Sequence, residues 1–420
     1  MAHRTPSGEI ALARFPFNGL LTESYRSLLY LEQQKNTLKS WTGPEAIERY
    51  LASVHGNDEG HQSRLIQSLK SFLSSRTLTS TEVFGRRQIL EELIARILRD
   101  LREKSEAQFG MKIRGAVAGR PVRFVGSENE DDDLFAQGRL EKAFRLAGFE
   151  SVRFEMEPVG AAHHYEATLQ HDELILIGDF GGGTSDFSLV RVGPEVRKRG
   201  RRPEDLLGNS GVGLAGDAFD AKIIRHLVSP ALGAGTDMRS MEKVLPVPGW
   251  VYAKLERWHH LSFLKARETM NMLSSVRSHA FYPERIEALI HLIQEDLGYQ
   301  LHRAVQRAKS ELSTNESARF QFDDGAVRLD ETVMRVDFEK WIGDELSLLE
   351  TCVDSLLKKA GVAKKQVDMV FLTGGTSFVP AVRRIFETRF GKKKIKAGGE
   401  FTSVARGLAL IGAESIAGDG

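Results

Sequence analysis

The chain has one cysteine among 420 residues, no long apolar segment and almost no net charge. The single cysteine, Cys352, excludes an intramolecular disulfide and is typical of a reducing compartment. No apolar run approaches the roughly 20 residues of a membrane span, and the first residues have no apolar core of signal-peptide type. A net charge of +1 gives no electrostatic reason to expect nucleic acid or an anionic membrane. We therefore predict a cytoplasmic protein without nucleic-acid or membrane partners.

The length and composition indicate a globular protein with more than one compact unit. Hydrophobic residues make up 41% of the chain and charged residues 27%, which is ordinary for such a protein. Strand-like and helical segments alternate, a pattern typical of the α/β class. Apolar residues at helical spacing predict helices over residues 65–73 and 81–109. A β-hairpin is expected across residues 323–325, Asp-Asp-Gly.

The most informative stretch is residues 174–190, where an apolar strand ends at Asp179 and a second alternating strand begins after Thr184. The glycines between them are Gly181, Gly182 and Gly183. Glycines let the main chain approach a polyphosphate and adopt positive φ, and successive N–H groups there bind anions. Asp179 is placed to hold a hydrated Mg²⁺, and Thr184 adds a hydroxyl donor. The pattern predicts a metal and phosphate site; a glycine-rich hairpin without a ligand is the alternative.

Two other groups of residues are weaker candidates. Gly216 and Asp217 lie where a helix is expected to begin, which suits a phosphate contact or a simple cap. Gln306, Lys309 and Ser313 recur at i, i+3 and i+7 on one helical face. That face suits a ribose and a base edge, although an ordinary exposed helix has the same spacing.

A third candidate group follows a strand predicted over residues 369–373. It consists of Gly374, Gly375 and Thr376, where glycines would let a flat base or ribose lie against the backbone. Because one turn suits phosphate and the other suits nucleoside, we expect residues 179–184 and 374–376 to face each other across a nucleotide cleft.

Taken in order, these motifs resemble the ATPase portion of the DnaK-like heat-shock chaperones, in the actin, sugar kinase and chaperone superfamily. Residues 179–186 resemble the family's second phosphate motif, and residues 157–162 resemble its interlobe glutamate-proline helix. Residues 214–220 resemble its Leu-Gly-Gly-Glu-Asp-Phe-Asp segment. Residues 306–313 resemble its adenosine helix, and residues 372–377 resemble its adenosine motif. The resemblance extends from about Gly8 to the C-terminus. It is strongest to the short, YegD-like group, which lacks a peptide-binding domain.

The resemblance implies a two-lobed, actin-like ATPase fold with ribonuclease H-like lobes. Lobe I is expected in residues 1–170 and lobe II in residues 171–365. Residues 366–420 would complete lobe II and return a helix to lobe I. The implied cofactors are ATP or ADP and Mg²⁺, and the implied partners are adenine nucleotide and a client or co-chaperone protein.

Site roles follow from the same resemblance. Lys70 would contact the γ-phosphate and the nucleophile, and Glu157 would accept a hydrogen bond from metal-bound or attacking water. Asp179 would be the metal-shell residue, and Thr184 with the three preceding glycines would bind phosphates. The remaining binding residues would be Gly216, Asp217, Gln306, Lys309, Ser313, Gly374, Gly375 and Thr376.

The chain departs from the family at its start. The family's first phosphate motif, a strand with Asp-x-Gly-Thr and a returning strand, has no counterpart before Gly8, so the first lobe would lack its N-terminal strands. The chain is then either a truncated or mis-started ATPase or a pseudo-ATPase. Truncation is favoured because a missing central strand exposes two strand edges, and residues 1–8 offer no strand to cover them. Gln306 also replaces a family glutamate, which removes a charge from the ribose site.

Three functions are therefore compared. The leading one is an ATP-hydrolysing, chaperone-like protein, with ATPase activity dependent on a first phosphate motif supplied by an upstream start. The second is a nucleotide-binding interaction module without turnover. The third is a small-metabolite kinase of the same superfamily, against which residues 157–162 and the helix of Lys309 argue.

Overall fold

A computed structural model describes residues 1–17, 19–34, 37–53, 62–166, 169–199, 202–257, 264–397 and 402–418. The chain divides into two compact units. The first comprises residues 1–215, 348–377 and 382–420, and the second comprises residues 216–347 and 378–381. Within the described ranges, no helix is long and apolar enough to cross a bilayer. The lobe boundaries at residues 170 and 365 stay predictions.

Most strands of the described residues are short. They are β1 (Ala2–Arg4), β2 (Ile10–Leu12), β3 (Phe15–Phe17), β4 (Leu20–Thr22), β5 (Leu28–Gln34), β6 (Thr37–Thr42), β7 (Gln62–Gln67), β8 (Ser80–Val83), β9 (Arg86–Ile89), β10 (Gly115–Arg120), β11 (Ser151–Met156), β12 (Glu173–Phe180), β13 (Ser185–Val192), β14 (Leu206–Val212), β15 (Asp237–Ser240), β16 (Lys243–Pro246), β17 (Ser317–Asp323), β18 (Arg328–Met334), β19 (Met369–Thr373) and β20 (Ile395–Ala397). The first one shows that the expectation of no strand in residues 1–8 was wrong, because Ala2–Arg4 pairs antiparallel with Ile10–Leu12.

Helices alternate with these strands, which confirms the predicted α/β class. They are α1 (Gly43–Ser53), α2 (Leu90–Phe109), α3 (Glu130–Leu146), α4 (Glu157–Glu166), α5 (Pro194–Arg199), α6 (Gly216–Ile223), α7 (Ser229–Ala231), α8 (Trp250–Leu255), α9 (Arg267–His279), α10 (Pro283–Gln294), α11 (Gly298–Thr314), α12 (Arg335–Trp341), α13 (Gly343–Lys359), α14 (Pro380–Phe390) and α15 (Ser403–Gly418).

The first unit contains a five-stranded sheet in the order β14-β13-β12-β19-β20. Strand β13 is antiparallel to both of its neighbours, whereas β12, β19 and β20 run parallel. Ile175, Leu176 and Ile177 of β12 are all fully buried, because both faces of the sheet are covered. The parallel pairing places the carboxyl ends of β12 and β19 side by side.

Helix α4 covers one face of this sheet. Its Ala161 and Ala162 belong to the same apolar cluster as Ile175 and Ile177. Helix α4 also packs against α15, where a Cβ on Gly407 would lie 1.7 Å from the carbonyl oxygen of Gly160. The two helices touch backbone to backbone, and this contact fixes the position of the N-terminus of α4.

A second apolar core of the first unit joins helices α2 and α3. Buried Leu93 and Ile94 of α2 belong to the same cluster as Ala136 and Leu140 of α3 and Leu29 of β5. This confirms an amphipathic helix in the greater part of the range 81–109. The helix prediction was wrong for the first residues of that range.

Residues 80–89 form a β-hairpin, β8–β9, before α2 begins at Leu90. The two residues at its tip, Phe84 and Gly85, have φ of 50° and 73°. Positive φ at both central residues is typical of the two-residue turns whose twist suits a hairpin. The glycine at position 85 signalled this turn, and the helical spacing of the flanking residues hid it.

The helix predicted over residues 65–73 was also wrong. Strand β7 occupies Gln62–Gln67 and pairs with β5, and a single 3₁₀ turn follows at Leu69–Phe72. Ser68 separates the two elements with φ of 53°, in the left-handed region. Strand pairing with distant residues therefore overrode the local spacing, and Lys70 lies on a turn after a strand.

The second unit combines helices with two hairpins, β15–β16 and β17–β18. The hairpin predicted across residues 323–325 is confirmed, with Asp323 paired to Arg328. Along β17, buried residues alternate with exposed ones, and the buried residues are Ala318, Phe320 and Phe322.

Candidate functional site

The glycine turn predicted after Asp179 is the tip of the β12–β13 hairpin. Asp179 pairs with Asp186 across the two strands, and Phe180 pairs with Ser185. The Gly181 N–H donates to the carbonyl oxygen of Thr184 at 2.9 Å, which closes the turn. Gly181 does not adopt a positive φ. A glycine is useful here because it leaves the exposed turn without a side chain.

A charged pair faces this hairpin. The Lys70 Nζ lies 2.5 Å from Oε1 of Glu157, the first residue of α4. Desolvation opposes charge on the lysine, but the Glu157 carboxylate, followed by Asp186 and Asp179, raises the pKa of Lys70. The structure thus brings together three of the four predicted catalytic residues, with Thr184 in the adjacent turn.

Asp179 lies at the end of β12 in an electrostatically unfavourable position. Burial, followed by the negative charges of Glu157 and Asp186, raises the pKa of Asp179 to about 8, and Lys70 opposes this. The positive charge of Lys70 does not offset burial and the two neighbouring carboxylates, so the Asp179 carboxyl keeps its proton to a higher pH than an exposed aspartate. Such a group is poised to bind a cation or a proton.

Asp186 is a site residue that the sequence interpretation included in its motif but did not select. Its side chain is almost fully buried and accepts a hydrogen bond from the Val122 N–H at 3.0 Å. Burial, then the charge of Glu157, raises the pKa of Asp186 to about 7, while a hydrogen bond with Thr184 lowers it. The signal was present in the sequence, because residues directly opposite in an antiparallel pair place their side chains on one face.

This donor set fits a hydrated divalent cation. Asp179, Asp186 and Glu157 are carboxylates under mutual repulsion, with Lys70 as a cationic neighbour. In the part of the chain that the structure describes, no group of three His, Cys, Asp or Glu side chains could hold a metal ion. Mg²⁺ keeps several of its waters in protein sites, so a few carboxylates acting through water suit it better than a complete protein cage.

The Gly374 turn lies beside the Asp179 turn and not opposite to it. Strands β12 and β19 are parallel neighbours with Asp179 paired to Thr373, so both turns lie at the same edge of one sheet. The expectation that they face each other across a cleft was wrong, because it ignored the possibility that strands far apart in the sequence pair directly.

Gly374 is required by its neighbours in the fold. It has φ of +87°, and a Cβ there would lie 2.0 Å from the carbonyl oxygen of Phe180. By contrast, a Cβ on Gly375 would meet nothing within 4 Å, so this glycine borders open space. Thr376 is buried. Gly375 is therefore the member of this turn that suits approach by a ligand.

The second unit holds another group of predicted binding residues around the start of α6. The Lys309 Nζ lies 2.6 Å from Oδ1 of Asp220 and donates to the carbonyl oxygen of Gly216 at 3.1 Å. Burial, followed by the charge of Asp220, raises the pKa of Asp217 to about 6, and Lys309 lowers it. Asp220, which the sequence interpretation did not select, is the acid that orients Lys309.

Gln306 and Ser313 lie on the same helix as Lys309. Gln306 is half-buried, and the Ser313 hydroxyl donates to the carbonyl oxygen of Lys309 at 3.1 Å. The predicted helix and its spacing are confirmed, since α11 spans Gly298–Thr314. The assignment of Gln306 and Ser313 to a nucleoside stays a prediction.

Comparison with known proteins shows which proteins this chain is similar to. The family model described as "Hsp70 protein" matches residues 61–245 and 286–417. The chain is 26% identical over 321 residues to a "Chaperone protein dnaK" of Cyanidioschyzon merolae, which covers 76% of this chain and 43% of that protein. It is 27% identical over 338 residues to a "Chaperone protein DnaK" of Deinococcus proteolyticus, covering 78% of this chain and 43% of that protein.

A third relative is the "Stromal 70 kDa heat shock-related protein, chloroplastic" of Pisum sativum. It is 26% identical over 342 residues, which covers 80% of this chain and 39% of that protein. The chain thus spans about two fifths of the length of these curated relatives.

Proposed function

Because the chain belongs to the Hsp70 family, we propose that it binds adenine nucleotide with Mg²⁺ and hydrolyses the terminal phosphate of ATP. The observation that carries this proposal is the Lys70–Glu157 pair beside Asp179 and Asp186. Phosphoryl transfer depends mainly on positioning and on neutralisation of charge. A lysine held by a carboxylate, next to acids that need a cation, supplies both requirements.

Each group has a proposed role. Asp179 and Asp186 would hold the metal ion, which would supply charge neutralisation at the phosphates. The Lys70 ammonium binds the terminal phosphate, and the Glu157 carboxylate orients Lys70 and accepts a hydrogen bond from the attacking water. The exposed Gly182 and the half-buried Gly183 present backbone N–H groups, and Thr184 presents its hydroxyl, whereas the Gly181 N–H is already bonded within the turn.

Two separate candidates for the nucleoside contact, one in each unit, are Gly375 with its turn and the face of α11 that carries Lys309. Support for the first comes from the open space at Gly375, and support for the second comes from the partial exposure of Gln306 and Ser313. The Lys309–Asp220 pair means that a nucleoside hydroxyl would compete with Asp220 for the ammonium group.

Single-turnover hydrolysis of labelled ATP tests this proposal. We expect Lys70→Met and Glu157→Gln each to lower the rate by about 10²–10³, the usual cost of one preorganised charge contact. Lys243→Met is the matched control, since that lysine lies on the exposed strand β16. Equal rates for wild type and Lys70→Met would contradict the assignment.

A second candidate function, a nucleotide-binding module without turnover, has its own support. Strand β10 leads toward the site and pairs with β11 alone among the described strands. Among the described strands the other edge of β10 therefore has no partner, so the backbone beside the site is held from one side only, which suits binding better than turnover. On this alternative ATP binds weakly and is not hydrolysed. A form extended to include an Asp-x-Gly-Thr segment would distinguish the two, because only a truncated ATPase gains turnover of about 10²–10³ from that segment.

Cytoplasmic location and a client or co-chaperone partner belong to the same proposal. The family supports the partner, and the single cysteine suits a reducing compartment such as the cytoplasm. Co-purification from a cytosolic extract with and without ATP would test the partner, because a chaperone-type partner is expected to depend on the nucleotide.

A further inference from the structure

Arg139 of α3 is a buried arginine that binds the stretch of chain directly after Lys70. Its side chain is 7% exposed, and Nε donates to Oε1 of Glu91 at 3.0 Å. The other nitrogens donate to backbone carbonyl oxygens. These acceptors are Phe72 at 3.4 Å, Leu73 at 3.3 Å, Ser75 at 3.1 Å and Leu78 at 3.2 Å.

Those carbonyls belong to one stretch, residues 72–78, which begins at the last residue of the Lys70 turn. The 3₁₀ turn Leu69–Phe72 ends where the Leu73 N–H donates to the carbonyl oxygen of Lys70 at 3.3 Å. Leu73 thus bonds Lys70 through its N–H and Arg139 through its carbonyl. One residue, Leu73, therefore connects the Arg139 guanidinium to the backbone of Lys70 through hydrogen bonds.

Other groups on the same face of α3 hold the same stretch. Asp132 lies 3.2 Å from a terminal nitrogen of Arg76, and the Phe135 ring packs under the guanidinium groups of both Arg76 and Arg139. Positions 132, 135 and 139 share one helical face. Arg139 is the buried member of this set, whereas the Arg76 side chain is 58% exposed.

We propose that Arg139 is a positioning residue for Lys70: its planar fork binds the carbonyls of residues 72–78 and thereby holds the Lys70 turn against Glu157. This inference rests on the proposed function of Lys70. The geometry requires an arginine, because several donors in one plane reach several carbonyls at once, whereas a lysine ammonium is a point charge on a flexible stem. Arg139 touches neither Lys70 nor Glu157 and acts through the backbone.

The first test measures the Lys70 amine directly and needs no nucleotide. Acetylation of Lys70 by an amine reagent, followed by mass spectrometry, reports how well Glu157 holds the ammonium. In Arg139→Met we expect the Lys70 labelling rate to rise to about that of Glu157→Gln. We also expect amide exchange in residues 69–78 to accelerate about ten-fold or more, since a hydrogen bond to a charged group is worth at least this factor.

The controls separate positioning from loss of stability. Arg145→Met on the same helix removes an exposed arginine and should change neither readout. Arg139→Lys keeps a charge beside Glu91 but not the fork. Restoration of wild-type labelling by Arg139→Lys would show that only the ion pair matters and would overturn the proposal. If Arg139→Met does not fold, Arg139→Met with Glu91→Gln removes the uncompensated buried carboxylate and serves instead.

A double-mutant cycle in the hydrolysis rate completes the test. If Arg139 acts through Lys70, Arg139→Met lowers the rate in the wild-type background and has no further effect in Lys70→Met. Additive losses in both backgrounds would contradict positioning. A wild-type protein without turnover would contradict the proposed function, while the labelling and exchange results would still decide whether Arg139 holds Lys70.

Discussion

The substitution Asp179→Asn is expected to make the metal-free protein more stable while it removes the response to Mg²⁺. Burial and the neighbouring carboxylates raise the pKa of Asp179 to about 8. Asparagine has nearly the same shape and never carries the charge, so it removes the repulsion. A group selected for stability alone would give the opposite result.

The sign and the size follow from linkage. The folded pKa lies above the unfolded one, so the folded carboxyl keeps a proton that the unfolded chain has lost. Wild-type stability therefore falls as the pH rises from about 4 to about 8, and Asp179→Asn avoids this loss. A tenfold difference in proton affinity between the folded and unfolded states is worth about 1.4 kcal/mol. Because Asp179 is partly exposed and Asp186 shares the effect, we expect a gain of about 1–3 kcal/mol near pH 8.5.

Thermal melting in EDTA at pH 5 and pH 8.5, with and without Mg-ADP, is the assay. A gain of this size should raise the melting temperature by about 2–12 °C at pH 8.5 and by less at pH 5. Mg-ADP should stabilise wild type and leave Asp179→Asn unchanged. The control is Asp237→Asn, an exposed acid of β15. A variant that melts lower than wild type at both pH values, or that keeps the Mg²⁺ response, would show that the Asp179 carboxylate is not a repelled metal-binding group.

Two further predictions concern glycine contacts. Gly374→Ala should destabilise the first unit by about 2 kcal/mol or more in urea unfolding, because its φ is +87° and a Cβ would lie 2.0 Å from the Phe180 oxygen. Gly375 borders open space, so Gly375→Ala should cost much less. Equal losses of stability in the two variants would contradict this prediction. Gly407→Ala should separate α4 from α15 and lower both the stability and the rate of hydrolysis. Gly138 on α3 has open space around it, so Gly138→Ala should raise the free energy of unfolding by about 0.5–1 kcal/mol.

The parts of the site that were predictable are local in sequence. The glycine turn after Asp179 was visible because a buried strand, small residues and a returning strand occur close together in the chain. A helix near the Glu157–Pro158 pair was also expected, over residues 159–169, and the structure begins it two residues earlier, at Glu157. Local patterns of this kind survive folding because they agree with the sheet that surrounds them.

The parts that were not predictable depend on contacts between distant residues. The turn of Lys70 exists because β7 pairs with β5, and helical spacing in residues 65–73 could not reveal that pairing. The buried Asp186 carboxylate accepts a hydrogen bond from the Val122 N–H, which belongs to a different part of the chain. Gly374 looked like a nucleoside contact, but the backbone of Phe180 already requires a glycine there.

Calorimetric titration of the wild-type chain with ATP, in Mg²⁺ and in EDTA, measures whether these residues bind nucleotide through a metal ion. We expect saturable binding that requires Mg²⁺, because the acids at Asp179 and Asp186 repel phosphates without a cation between them. Absence of saturable binding at millimolar ATP, or equal affinity in Mg²⁺ and EDTA, would contradict it.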